Sequence, residues 1–151
     1  MVSIVEDPKK VRRLDHVSIP LPEGICLGAR IWLPEDASAH PVPAILEYVP
    51  YRKNDLFAVD DASRCDYFAA RGYAGVRLDV RGSGDSEGVL LDEYALQEQE
   101  DALVAIDWIA TQEWCSGVVG MIGWSWGGFN GLQVAARRPP RLKAVVTAYS
   151  T

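Results

Sequence analysis

Histidine is nearly missing from this chain: His16 and His40 are the only two in 151 residues. Any histidine base has therefore to be one of them or come from elsewhere. Cysteine is scarce as well. Cys26, Cys65 and Cys115 are odd in number and widely spaced. They build neither a disulfide framework nor a CxxC metal clip, and each reads as a small buried apolar residue. No metal site and no organic cofactor is expected. No apolar run approaches the roughly 18 residues that a membrane-spanning helix requires. The opening Met-Val-Ser-Ile-Val-Glu-Asp-Pro-Lys-Lys shows no apolar core before a small-residue cleavage site, so a cytoplasmic location is expected. Basic residues are outnumbered, 15 Lys and Arg against 21 Asp and Glu, a net charge of −6. An acidic surface without a Lys/Arg stripe repels phosphate backbones, which argues against a nucleic-acid partner.

What remains is ordinary globular composition, 48% apolar and 24% charged, at a length that suits one domain over residues 1–151. Residues 16–19 and 25–33 read as two strands around the turn Pro20-Leu21-Pro22-Glu23-Gly24, an antiparallel hairpin. From Ala44 the pattern changes to short apolar runs alternating with helical spacing. Strands are expected at 44–49, 73–80, 118–124 and 142–149. Helices are expected at 60–71 (capped by Asp60 or Asp61 and ended by Gly72), at 94–112, and at 126–138. Strands alternating with helices imply crossover units and a parallel sheet. The fold class is α/β, mostly parallel with an antiparallel start.

Gly123-Trp124-Ser125-Trp126-Gly127-Gly128 lies between an apolar strand and a helix. That is the setting of a nucleophile elbow. The serine occupies a strained turn, and glycines two before and two after leave room for the neighbouring strand and helix. Ser125 is thus the candidate nucleophile. The His-Gly-Gly run that often supplies oxyanion N–H groups is absent. The loop after the third strand reads Val49-Pro50-Tyr51-Arg52-Lys53, in which the Tyr51 hydroxyl is a legitimate oxyanion donor or an ordinary half-buried aromatic. Arg81-Gly82 through Glu87-Gly88 lacks the Gly-Lys-Ser/Thr ending of a phosphate loop and reads as a turn-rich connection, with Asp79 and Arg81 structural.

Pro50-Tyr51-Arg52-Lys53, Asp79-Val80-Arg81-Gly82-Ser83-Gly84-Asp85-Ser86-Glu87-Gly88, Trp114-Cys115 and Gly123-Trp124-Ser125-Trp126-Gly127 occur in one order. Together they resemble the CocE/NonD-type acyl esterase and X-Pro dipeptidyl-peptidase family of α/β-hydrolases, from about Val17 to the end of the chain. The resemblance implies an α/β-hydrolase fold, with Ser125 as nucleophile and the Tyr51 hydroxyl and Trp126 backbone N–H as oxyanion donors. Family members usually have tyrosine where Trp126 stands; only the main chain is needed for the donor.

An acyl-transfer triad in this fold runs Ser, then Asp or Glu, then His. The residues after Ser125 contain no Asp, Glu or His. The chain therefore reads as the N-terminal part of a catalytic domain, cut after about the sixth strand and inactive by itself. A sheet edge left uncovered would be a self-association site. The expected activity is hydrolysis of a small-molecule ester or amide. The alternatives are an X-Pro dipeptidyl-peptidase and an inactive remnant serving as a binding or assembly module.

Overall fold

The structure, a computed structural model, describes residues 8–150; the opening segment read above for a leader lies largely outside the described residues. Strands β1 (Val11–Pro20) and β2 (Cys26–Pro34) form the expected antiparallel hairpin. Gly24 sits at φ +91°, a conformation glycine adopts without penalty, and closes the turn with its N–H on the Leu21 carbonyl at 3.0 Å. The register shifts between Leu14 and Val17, a bulge at Asp15–His16. β1 begins five residues earlier than its weak alternation suggested. As an edge strand it is only partly covered, and Arg12, Arg13 and Asp15 are all exposed.

β3 (Val42–Val49), α1 (Ala58–Ala69), β4 (Ala74–Asp79), α2 (Leu96–Ala110), β5 (Cys115–Trp124), α3 (Trp126–Ala136) and β6 (Leu142–Ala148) follow. They complete a six-stranded sheet in the order β1-β2-β4-β3-β5-β6, antiparallel up to β4 and parallel beyond. From β3 the chain crosses to β4 on one side, then from β4 to β5 on the other. Right-handed crossovers in opposite directions put α1 and α2 on opposite faces. α1 packs on β2 and β4, whereas α2 and α3 pack on β3 and β5. The core lies mainly under α2 and α3: Leu46, Tyr48, Val76, Leu78, Ile106, Ile109, Val119 and Met121 are all buried.

α1 starts at Ala58, and Asp60 and Asp61 lie inside its first turn rather than capping it. Asp61 is instead turned inward. It binds Arg64 at 2.8 Å and lies 2.9 Å from the Nε of Arg77, a fully buried arginine in mid-β4. Glu47 of β3 joins both arginines. A depression of about 430 Å³, lined by Ile45, Tyr67, Phe68, Val118, Ile122 and Val146, opens on the α1 side of β3, β5 and β6, where no helix covers the sheet among the described residues. The outer edge of β6 is likewise unpaired there. No helix among the described residues is long and apolar enough to cross a membrane, and no group of His, Cys, Asp or Glu there is arranged to hold a metal ion.

Candidate active site

β5 runs into α3 with a single residue between them, Ser125, at φ +49° and ψ −116°. A non-glycine residue in this region is strained and persists only where its surroundings over-determine it. Several contacts do so here. Ser125 N–H donates to the Ala148 carbonyl of β6 at 2.9 Å, and the Ser125 carbonyl accepts from Gly128 N–H, Phe129 N–H and the Ser150 hydroxyl. The flanking glycines are required by space. A methyl group on Gly123 would sit 2.6 Å from Gly128 N and nearer still to the Gly127 carbonyl; one on Gly127 would sit 2.6 Å from Val49 Cγ1. Only glycine lets α3 approach both strands this closely. The Ser125 side chain is exposed above the C-terminal edge of the sheet. The first N–H groups of α3, Trp126 foremost, have no intrahelical acceptor and lie at the positive end of the helix dipole.

Tyr51 follows β3, the parallel neighbour of β5. Sheet order thus brings two residues far apart in sequence to adjacent strand ends, and both line a cavity of about 510 Å³. Phe57 and Trp124 add aromatic walls, and Glu47, Asp61, Arg64 and Arg77 form its charged floor. Burial pushes the Glu47 carboxyl above its usual range, against the pull of Arg77 and Arg64. Arg64 also lies 4.9 Å from the Trp124 ring centroid, a cation–π contact that braces the residue before the serine.

Trp126 is held by its side chain as well. Its indole N–H donates to Glu98 Oε1 of α2 at 2.6 Å, the same oxygen receives Asn130 Nδ2 at 2.6 Å, and Asn130 Nδ2 also reaches the Tyr48 carbonyl at 3.1 Å. Tyr94 packs on Trp126 and Phe129 with centroids 5.3 and 5.2 Å away. Glu98 is buried, and burial raises its carboxyl pKa, although the two donors favour the charged form. The joint role of Glu98 and Asn130 is not legible in the sequence. A lone Glu in the first turn of a helix reads as a dipole partner, and only the α2–α3 packing shows it to be a clamp.

The loop between Asp79 and Gly88 is structural. Arg81 makes two bonds to Asp101, at 2.7 and 2.6 Å, and also engages Glu23, so no guanidinium is free for a phosphate. Of the cysteines, Cys65 and Cys115 are buried and Cys26 is partly exposed. The histidines are far from Ser125. His16 is on β1, four strands from β5, a span of about 19 Å at ordinary strand spacing; His40 is exposed in the loop entering β3, at the opposite end of the sheet.

A mixed sheet ordered in this way, with a strained serine between its fifth strand and the next helix, makes this an α/β-hydrolase-fold protein. The sequence profile described as X-Pro dipeptidyl-peptidase (S15 family) matches residues 23–151, and the chain belongs to that family. It is 35% identical to cocaine esterase from Rhodococcus sp. (strain MB1 Bresler) over 137 residues, 90% of this chain and 23% of that protein. Among solved structures it resembles an α-amino acid ester hydrolase at 30% identity and TM-score 0.70, over 91% of this chain and 25% of that one. A CocE/NonD family hydrolase from Staphylococcus aureus shares the fold at TM-score 0.79 and 23% identity, over 91% of this chain and 27% of that one. The chain spans about a quarter of the length of these relatives.

Proposed function

We propose that this chain supplies the nucleophile and the oxyanion donors of a serine hydrolase that cleaves small-molecule esters, or amides, through an acyl-enzyme. Ser125 Oγ attacks the carbonyl carbon while its proton passes to a base. The Tyr51 hydroxyl and the Trp126 N–H stabilise the oxyanion of the tetrahedral intermediate. Collapse expels the alcohol or amine, which takes the proton from the base, and water then releases the acid by the same steps in reverse. The observation that carries this reading is the pairing of strained, exposed Ser125 with Tyr51, just past the end of the adjacent parallel strand, both lining one cavity. Neither histidine of this sequence can reach Ser125, so a histidine base is supplied from outside these 151 residues. An ester is the preferred substrate class, with X-Pro peptide cleavage the alternative within the family.

A fluorophosphonate probe tests this directly. Ser125 in the 151-residue chain should label slowly, and Ser125→Ala should abolish the adduct by mass spectrometry. Label on another residue would overturn the assignment of the nucleophile. Fast, stoichiometric labelling at Ser125 would overturn the claim that the base lies elsewhere.

A further inference from the structure

We infer that Asp79, which is not among the residues lining the cavity and takes no part in the proposed chemistry, is the positioning residue that holds Tyr51 in its oxyanion-binding place. This inference rests on the proposed role of Tyr51. The argument begins with what Tyr51 lacks. Its side chain is 37% exposed, its ring touches only Phe57 among the aromatics, at 5.6 Å, and its hydroxyl has no hydrogen-bond partner among the described residues. A donor that is not held by its side chain must be held by its backbone.

The backbone at this point is anchored two residues on. The Lys53 N–H donates to Asp79 Oδ1 at 2.7 Å, and the other Asp79 oxygen accepts the Asp85 N–H at 3.1 Å. One carboxylate thereby ties the loop after β3 to the loop after β4. The Lys53 ammonium, only 1% exposed, closes the same ring by pairing with Asp85, which Asn54 also contacts at 2.8 Å. Arg30 of β2 donates to the Lys53 carbonyl at 3.0 Å and to Asn54 Oδ1 at 2.6 Å. Between Tyr51 and this anchor stands Arg52 at φ +58°, a left-handed conformation that a free loop would relax. Asp79 is itself wholly buried, and Gly84 approaches it so closely that an added Cβ would lie 2.6 Å from the Asp79 carboxyl carbon. The Pro-Tyr-Arg-Lys and Asp-Val-Arg-Gly segments are thus one device in space: the second loop is the mount for the first.

Asp79→Asn keeps the shape but faces one of the two N–H groups with an amide NH₂, so that tie is lost. Two readouts separate positioning from general support. The first is spectroscopic: the ¹⁹F resonance of 3-fluorotyrosine at position 51, assigned by its loss in Tyr51→Phe, should shift and broaden in Asp79→Asn, and the Lys53 amide should exchange at least about tenfold faster. The second is the maximal labelling rate of Ser125 by fluorophosphonate, separated from probe affinity. Tyr51→Phe should slow it about a hundredfold. Asp79→Asn should slow it about tenfold or more with little change in affinity, and should add nothing further in the Tyr51→Phe background. If Asp79→Asn does not fold, Lys53→Met carries the test, because it removes the buried ammonium from the same anchor and should move the same resonance.

An unmoved Tyr51 resonance, or rate losses that simply add in the double variant, would overturn the inference. If the resonance moves but Tyr51→Phe labels at the parent rate, Asp79 positions the loop and the oxyanion role of Tyr51 is what fails.

Discussion

Replacing Gly123 by alanine would place a methyl group 2.6 Å from Gly128 N and closer to the Gly127 carbonyl, all of it backbone in the first turn of α3. Ordinary contact begins near 3.4 Å, and no rotamer can relieve a clash with main chain. The helix must move away from β5 by close to 1 Å or more, against the bonds that tie Ser125 to Ala148 and Ser150. Overpacking of this kind costs about 1–3 kcal/mol, and a backbone clash belongs at the upper end. With a urea slope of about 2 kcal/mol per molar, the midpoint should fall by about 1.5 M, read by tryptophan fluorescence. The same displacement moves Ser125 relative to Tyr51, so fluorophosphonate labelling of the folded variant should slow by about a hundredfold. Gly120→Ala is the control. Three residues earlier on the same strand, its nearest neighbours would be at 3.6 Å or more, and its stability should stay within about 0.5 kcal/mol of the parent. Equal midpoints for the two variants, with Gly123→Ala labelling at the parent rate, would refute the close-packing argument for the turn.

Trp126→Phe should cost about 1–3 kcal/mol in thermal unfolding, because buried Glu98 loses a donor. That donor favours the charged carboxylate, so the cost should grow as pH rises above the ordinary value of 4.5; an equal cost at pH 4 and pH 8 would contradict it. Asp85 titrates the other way. The Lys53 ammonium holds its carboxyl below 3.8, so its contribution is complete above that value and lost as pH falls through the lower folded one. Asp85→Asn should therefore flatten the acid limb of the stability curve below about pH 4, and an unchanged limb would show that the pair contributes nothing. Burial pushes the Cys65 thiol up to about 12 and raises that of Cys115. An aromatic disulfide reagent at pH 8 should react with both only after unfolding, and rapid reaction in native buffer would contradict their burial.

Much of the sheet was legible because its parallel strands are short, nearly continuous apolar runs, and the runs at 44–49, 118–124 and 142–149 coincide closely with β3, β5 and β6, although helices cover only one face of these three among the described residues. The strand–serine–helix turn was legible for a different reason: its glycines answer a local steric demand that sequence alone can display. What stayed hidden was charge turned inward. Arg77 sits among apolar neighbours in β4, and nothing in a linear pattern shows that Asp61 and Glu47 converge on it from a helix and another strand. Asp61 looked like a cap for the same reason, since besides Arg64 it pairs with an arginine sixteen residues further along the chain. Lys53 is the sharpest case. A lysine in a loop reads as solvated, yet this one is buried because an acidic loop from the next crossover folds over it.

The antiparallel hairpin joins β1 to β2 through a five-residue turn, whereas the pairing of Ala44 with Val119 in β3 and β5 must close about half of the chain into a loop. Closure entropy rises with loop length, and non-local strand pairing is the slow event in folding. The cavity between Tyr51 and Ser125 straddles that late seam. During refolding, hairpin amides should gain protection first, and Ser125 should become reactive only with the final phase. Competence to react would then report completion of the fold itself.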